Sequence, residues 1–210
     1  MRRRHAMTNK IFFFAILSIL SIALAFGCGE LGKVDQGRVI AYDKEKGEIT
    51  IIEDKNYQDP KNPDYSILPP HVYTIPEVRS EMGAEPKQGK RMKLIPEKSQ
   101  IIIFDTATQN FKTIDFKLID QKEKVDPKDP LVYDKAAEKA KKFPVIDREK
   151  KTITIYSKRL KTLTTFNVAD EYFALPDDTW DSGDEIRIYY KEKGKALRIM
   201  NISKTDIFKK

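Results

Sequence analysis

Thiols and imidazoles are nearly missing from this 210-residue chain. It has one cysteine, Cys28, one tryptophan, Trp180, and two histidines, His5 and His71. No disulfide can form within the chain, whatever compartment it occupies. Zinc, copper and haem sites draw on clusters of His and Cys, so this composition argues against all three. There is no CxxCH for covalent haem, and no GxSxG or HExxH. An excess of one charge is also missing once the N-terminus is set aside. The formal net charge of +7 owes four positive charges to Arg2, Arg3, Arg4 and Lys10. Residues 1–27 hold no acid, and what remains is 35 Lys+Arg against 32 Asp+Glu. Dispersed charge of both signs, without a basic stripe and interleaved aromatics, is no nucleic-acid footprint. No cofactor, no metal site and no nucleic-acid partner are expected.

The chain has a single long apolar run. Ile11–Ala25 carries no charge, follows the basic stretch and leads into Phe26-Gly27-Cys28. That order marks residues 1–27 as a secretory signal, to be excluded from fold reasoning. Its fifteen apolar residues fall short of the about 20 that a bilayer-spanning helix usually needs. The residues Ala25-Phe26-Gly27-Cys28 resemble the lipobox of bacterial lipoproteins. Gly27 fits the family's small residue before the cysteine, while Ala25 and Phe26 depart from its preferred Leu and small residue. The resemblance implies that Cys28 takes a lipid on its sulfur, becomes residue one after cleavage, and is acylated on its amine. At about 0.8 kcal/mol per buried CH₂, two or more chains hold a protein firmly on a membrane. Gly29 stands where Asp favours inner-membrane retention in many Gram-negative species, which leans towards the outer membrane. The expected address is the cell envelope, lipid-anchored on the periplasmic side, with 28–36 as a tether.

Beyond the leader, period-two alternation dominates. Arg38–Tyr42 and Glu48–Ile52 flank the polar turn Asp43-Lys-Glu-Lys-Gly47, which predicts a hairpin. Gln100–Phe104 and Phe111–Ile119 predict a second. Thr152–Tyr156, Thr164–Val168, Glu185–Tyr190 and Ala196–Ile202 read as further strands. An internal repeat runs through them. Asp43–Ile51 aligns with Asp147–Ile155 at six of nine positions, Val72–Ile75 with Thr165–Val168, and Gly89–Leu94 with Gly183–Ile188. The unit carried by Asp147, Ile153–Ile155, Phe166, Gly183-Asp184 and Ala196–Ile199 resembles a small five-stranded barrel of the OB type. The expected fold is therefore mostly β: two tandem OB-like domains, 37–120 and 143–210. A charged, proline-punctuated linker at 121–142 joins them, and its Ala, Glu and Lys content predicts a short helix over Leu131–Lys142. The first half carries an insertion, Glu53 to His71, too long for an ordinary connection and so functional or disordered.

Catalysis needs a nucleophile, an acid/base group or a metal. His71 has no partner motif. The pair Asp177-Asp178 reads as a turn before a strand, and Asp54, Asp59 and Asp64 lack calcium-loop spacing. The aromatics carry a softer signal. Tyr172, Trp180 and Tyr189 sit beside polar turns, where exposed rings make glycan- or peptide-binding surfaces and buried ones fill a core. Core packing is the favoured reading, because aromatics are strand formers and a small barrel needs bulk inside; Trp180 and Tyr189 are the rings most open to exposure. In leader, Gly37-Arg38-Val39 opening and length, the chain resembles uncharacterised lipoproteins of Gram-negative, sulfate-reducing-type bacteria, a likeness that adds no functional residue. The reading is a membrane-anchored, non-enzymatic scaffold or envelope-complex subunit. The alternative is a glycan- or peptide-binding module that uses an aromatic barrel face.

Overall fold

A computed structural model describes residues 31–59, 62–158 and 160–205. The leader and Cys28 lie outside the described residues. The fold is mostly β, as expected. Fourteen strands are described, in chain order β1 Lys33–Asp43, β2 Glu48–Glu53, β3 His71–Thr74, β4 Arg91–Ile95, β5 Gln100–Asp105, β6 Asn110–Asp115 and β7 Lys117–Lys122, then β8 Tyr133–Asp134, β9 Lys139–Ala140, β10 Val145–Asp147, β11 Thr152–Ser157, β12 Thr162–Asn167, β13 Glu185–Tyr190 and β14 Ala196–Asn201. One helical turn, α1 at Asp170–Phe173, precedes β13. No helix among the described residues is long and apolar enough to cross a membrane.

The helix expected over Leu131–Lys142 is not there. That segment is a two-stranded hairpin in which β8 pairs with β9, Tyr133 opposite Ala140. Asp134 decides it. Its Oδ1 accepts the backbone N–H groups of Ala136 and Ala137 at 3.0 and 3.1 Å, and Glu138 closes the turn at φ +49°. A side chain that satisfies local N–H groups offers the backbone an alternative to a helix.

The repeat survives in register. Ile49 pairs with Tyr73 and Ile153 with Phe166, so β1-β2-β3 and β10-β11-β12 are equivalent antiparallel meanders. The hairpins that follow them, β4-β5 and β13-β14, are equivalent too. Sheet topology does not follow the expected division at 121–142, however. The five-stranded sheet has the order β14-β13-β1-β2-β3 and the four-stranded sheet β10-β11-β12-β7. Strands of both halves thus share sheets, and the described residues from Val34 onward form one compact unit.

The cores show the same exchange. One packs Val39, Ile49, Ile51 and Tyr73 of the first meander against Ile186, Ile188 and Ile199 of the last hairpin. The other packs Ile153, Ile155 and Phe166 of the second meander against Leu94, Ile101 and Ile103 of β4-β5. Each meander is covered by the other half's hairpin. The apolar run Phe111–Ile119 does double service. It breaks at buried Phe116, which leaves β6 beside β5 and sends β7 to pair with β12.

The exchange requires two chain segments to cross, and glycines make room. A Cβ on Gly183 would run into the carbonyl oxygen of Val39, and one on Gly89 into that of Asp181. These two glycines occupy equivalent places in the repeat. Around them Asp184 N–H donates to the Lys87 carbonyl and Arg91 N–H to the Asp181 carbonyl, at 2.8 and 2.9 Å.

Candidate functional site

Beside this crossing lies a groove of ≈ 1130 Å³. Strand pleating assigns its wall: successive side chains point to opposite faces, so Val39 enters the core while Gln36 and Arg38 line the groove. Arg38 stacks its guanidinium over the Tyr65 ring, 4.6 Å from the centroid, and donates to the Met92 carbonyl at 2.8 Å. The Tyr65 hydroxyl donates to Glu185 Oε2 at 2.9 Å. Gln36 Oε1 accepts both Nε and Nη2 of Arg187, at 3.1 and 2.8 Å.

Tyr65 belongs to the insertion 53–71. Asp54 folds that loop inwards, because its Oδ1 accepts the N–H groups of Asn56 and Asp64 at 2.9 and 2.7 Å. Asp59 accepts from Asn62 Nδ2 at 2.8 Å. The loop's carboxylates thus serve its own backbone and side chains, and the insertion delivers one aromatic ring to the groove.

Two carboxyls here are perturbed. Burial pushes Glu185 above the ordinary glutamate value, and the nearby Arg38 charge and Tyr65 hydrogen bond offset this only in part. Its Oε1 is buried with no hydrogen-bond partner among the described residues. Burial also raises Asp181, although Lys87 Nζ sits 2.8 Å from its Oδ1. Perturbed carboxyls in a cleft are a signature of functional sites. The other acids lining the groove are engaged: Asp178 with Lys90 at 3.2 Å, Asp177 with Arg148 at 2.5 Å, and Asp184 with Asn201 and Lys204 at 2.9 and 3.3 Å. Lys93, Lys142 and Lys158 line it without an ion-pair partner among the described residues. Apolar surface comes from Met92, Leu94, Phe143 and Tyr156.

A second polar cluster closes the end of the first core. Buried Asp35 accepts the hydroxyls of Tyr73 and Tyr190, the latter at 2.9 Å, and the Lys193 ammonium at 2.5 Å. Burial would raise its carboxyl; the hydrogen bonds from Lys193, Tyr73 and Tyr190 outweigh that and hold it below the usual range. His71 Nδ1 lies 3.0 Å from Glu53 Oε2 and 3.3 Å from Asp35 Oδ2.

The three aromatics singled out by sequence do not share a face. Trp180 follows the favoured core reading: although one of the two rings most open to exposure, it is fully buried in a core with its ring edge-on to Phe166. A ring of that size beside small β-strands serves packing first. Tyr172 packs on the same core, with the Lys112 ammonium 4.7 Å over its ring. Tyr189 lies on the five-stranded sheet, where it lines a shallow surface pocket with Glu81, Leu197 and Arg198. Cys28 lies outside the described residues. Arg38, Tyr65, Asp181 and Glu185, the centre of the groove, were not among the expected site residues. The proline-rich insertion that carries Tyr65 was the one signal pointing towards them.

No curated protein and no solved structure matches this chain. The match that exists covers residues 30–210, nearly everything after Cys28, and by it the chain belongs to the family described as Domain of unknown function (DUF4881).

Proposed function

We propose that this protein is a tethered, extracytoplasmic, non-enzymatic binding subunit whose groove holds an extended, acidic polypeptide segment of an envelope partner. The groove carries the reading. Small-molecule pockets run to about 1,000 Å³; this groove is somewhat larger, and charged side chains stand among its apolar ones. Its acids are engaged internally while three of its lysines have no partner among the described residues, so the charge left over for a ligand is positive. Apolar surface beside those lysines suits alternate side chains of a peptide.

The tether rests on the leader and Cys28. It is supported by the family match, which starts at residue 30, just past the cysteine. The OB-type ancestry is supported by strand order. In β14-β13-β1-β2-β3 the exchanged hairpin supplies strands four and five, and a parallel bridge from Thr74 to Lys195 brings the two edges together. On this reading the chain is a duplicated OB-type unit whose closing hairpins have changed places.

Photo-crosslinkable side chains placed at Lys93 and Tyr156 in the groove, and at Lys46 on the β1-β2 turn, test the binding claim in intact membranes. The groove positions should give one discrete adduct, and excess of an acidic peptide should suppress it. Equal adducts from Lys46, or none from the groove, would overturn it. For the tether, Cys28→Ser should abolish palmitate labelling and release the protein from membranes; equal labelling of both forms would remove the lipid anchor from the reading.

A further inference from the structure

We propose that Asp35, Glu53 and His71 bind one divalent first-row metal ion, zinc-like in its coordination, which takes the place where the Lys193 ammonium now sits. The proposal is independent of the groove. Gln36, Arg38 and Asp54 face the groove, whereas Asp35, Glu53 and His71 gather at the end of the first core.

Three neighbouring strands supply the donors. Asp35 lies on β1, Glu53 ends β2 and His71 opens β3; the pairs Gly37–Glu53 and Ile51–His71 bring them to one end of the sheet. Their ligand atoms all lie within 4.8 Å of one another. His71 Nδ1 is 3.0 and 3.3 Å from the two carboxylates. A four-coordinate ion with bonds of about 2.0–2.1 Å sets its donors about 3.4 Å apart, so His71 already stands at ligand spacing from both. The set of one imidazole and two carboxylates suits a divalent first-row ion with a water in the fourth position.

Internal hydrogen bonding does not satisfy this cluster. One ring nitrogen can donate or accept, but not both. Lys193 Nζ, which only donates, is 3.0 Å from His71 Nδ1, while Glu53 Oε2, which accepts when ionised, is also 3.0 Å away. If Nδ1 accepts from Lys193, it has no proton for Glu53, whose carboxylate has no other polar partner among the described residues. If it donates to Glu53, it has no lone pair for the ammonium. A cation centred among the three donors resolves the conflict, because every lone pair then points at positive charge. One ammonium also balances only one of two carboxylates, and a divalent ion balances both.

The surroundings fit. The hydroxyls of Tyr73 and Tyr190 both donate to Asp35 and fix its orientation, the outer-shell support that metal ligands usually receive. Lys193 is 50% exposed and sits on the β13-β14 turn next to Gly194, so its side chain can swing out to solvent.

The test uses the full-length chain, purified in detergent, stripped with a chelator and titrated with Co²⁺ by visible absorption and Zn²⁺ by calorimetry. One ion should bind per chain. His71→Gln should abolish the cobalt spectrum, and Glu53→Gln should weaken binding about tenfold or more without changing metal-free melting. Lys193→Met should tighten binding by about tenfold or more, because it removes the competing cation. Absence of binding in both the native chain and Lys193→Met overturns the site. A spectrum that survives His71→Gln places the ion on His5 or Cys28 and overturns it equally. Unchanged affinity in Lys193→Met refutes the displacement.

Discussion

Glu185 ionises in a place that resists it. Burial raises its carboxyl above the ordinary value, and one oxygen has no hydrogen-bond partner among the described residues. A raised acid binds its proton more tightly folded than unfolded, so folding stability falls as pH climbs from the unfolded to the folded value, and stays lower above it. Glu185→Gln keeps an oxygen to accept from Tyr65 and removes the buried charge. The variant should be more stable than the native chain at about pH 7, by about 1–3 kcal/mol, and the gain should vanish below about pH 4. Urea unfolding across that range reads it. A loss at neutral pH would mean that Arg38 and Tyr65 reward the charge more than burial penalises it. None of this was legible from sequence. Glu185 opens a strand like any surface glutamate, and only the inward fold of the insertion, through Asp54, brings Tyr65 against it. Trp180 is the contrary case: core packing is the favoured reading from its bulk, and its polar neighbours Asp181 and Ser182 belong to the crossing while the ring turns into the core.

At the scale of elements, one device recurs. Asp43, Asp105, Asp134 and Asp147 each open a hairpin turn by accepting backbone N–H groups two or three residues on. Four residues after each aspartate the chain goes left-handed, at Gly47, Gln109, Glu138 and Lys151. Three of these turns were readable because β-branched strands flank them. The fourth was misread as helix because Ala136-Ala137 raised the propensity, although Val132-Tyr133-Asp134 repeats the apolar-then-Asp pattern of Ala41-Tyr42-Asp43. The offset between Asp and the left-handed residue was the better signal. Left-handed backbone costs a residue with a Cβ about 1 kcal/mol or more. Lys151→Gly should therefore stabilise the protein by about 0.5–1 kcal/mol, net of the entropy that glycine adds to the unfolded chain. Gly47→Ala should destabilise it by a similar amount, more if Ile75, 3.4 Å from the added methyl, cannot move. Shifts in the urea midpoint of the opposite sign would show that these turns are not left-handed in solution.

For the whole molecule, the governing fact is the exchange of hairpins. The duplication could be read from sequence, down to Tyr73 standing where Phe166 stands. The exchange could not. The two hairpins are equivalent, so local pattern fits either one to either meander; what decides is the path of the chain, through the break at Phe116 and the pairing of β7 with β12. Where the paths cross there is no room for a side chain. Gly183→Ala would drive a methyl into the Val39 carbonyl, which is backbone and cannot step aside. It should cost about 4 kcal/mol or prevent folding, whereas Gly194→Ala, on an open turn, should cost about 1. The exchange also fixes what a cut between the halves would do. Without β8–β14 the first half exposes Val39, Ile49, Ile51 and Tyr73, which the last hairpin covers. Each is worth about 1.5–3 kcal/mol when buried, so together they rival the about 5–15 kcal/mol that holds a whole domain. Neither half can lose its partner and stay folded alone. A protease site inserted at exposed Lys128 should be cut with no loss of native structure, and the two fragments should co-elute. Separated in denaturant, each should refold only into a dimer of itself or not at all, and near-UV circular dichroism should return when they are mixed. Two fragments that refold separately as monomers would show that each hairpin covers its own meander, and the exchanged topology would be wrong.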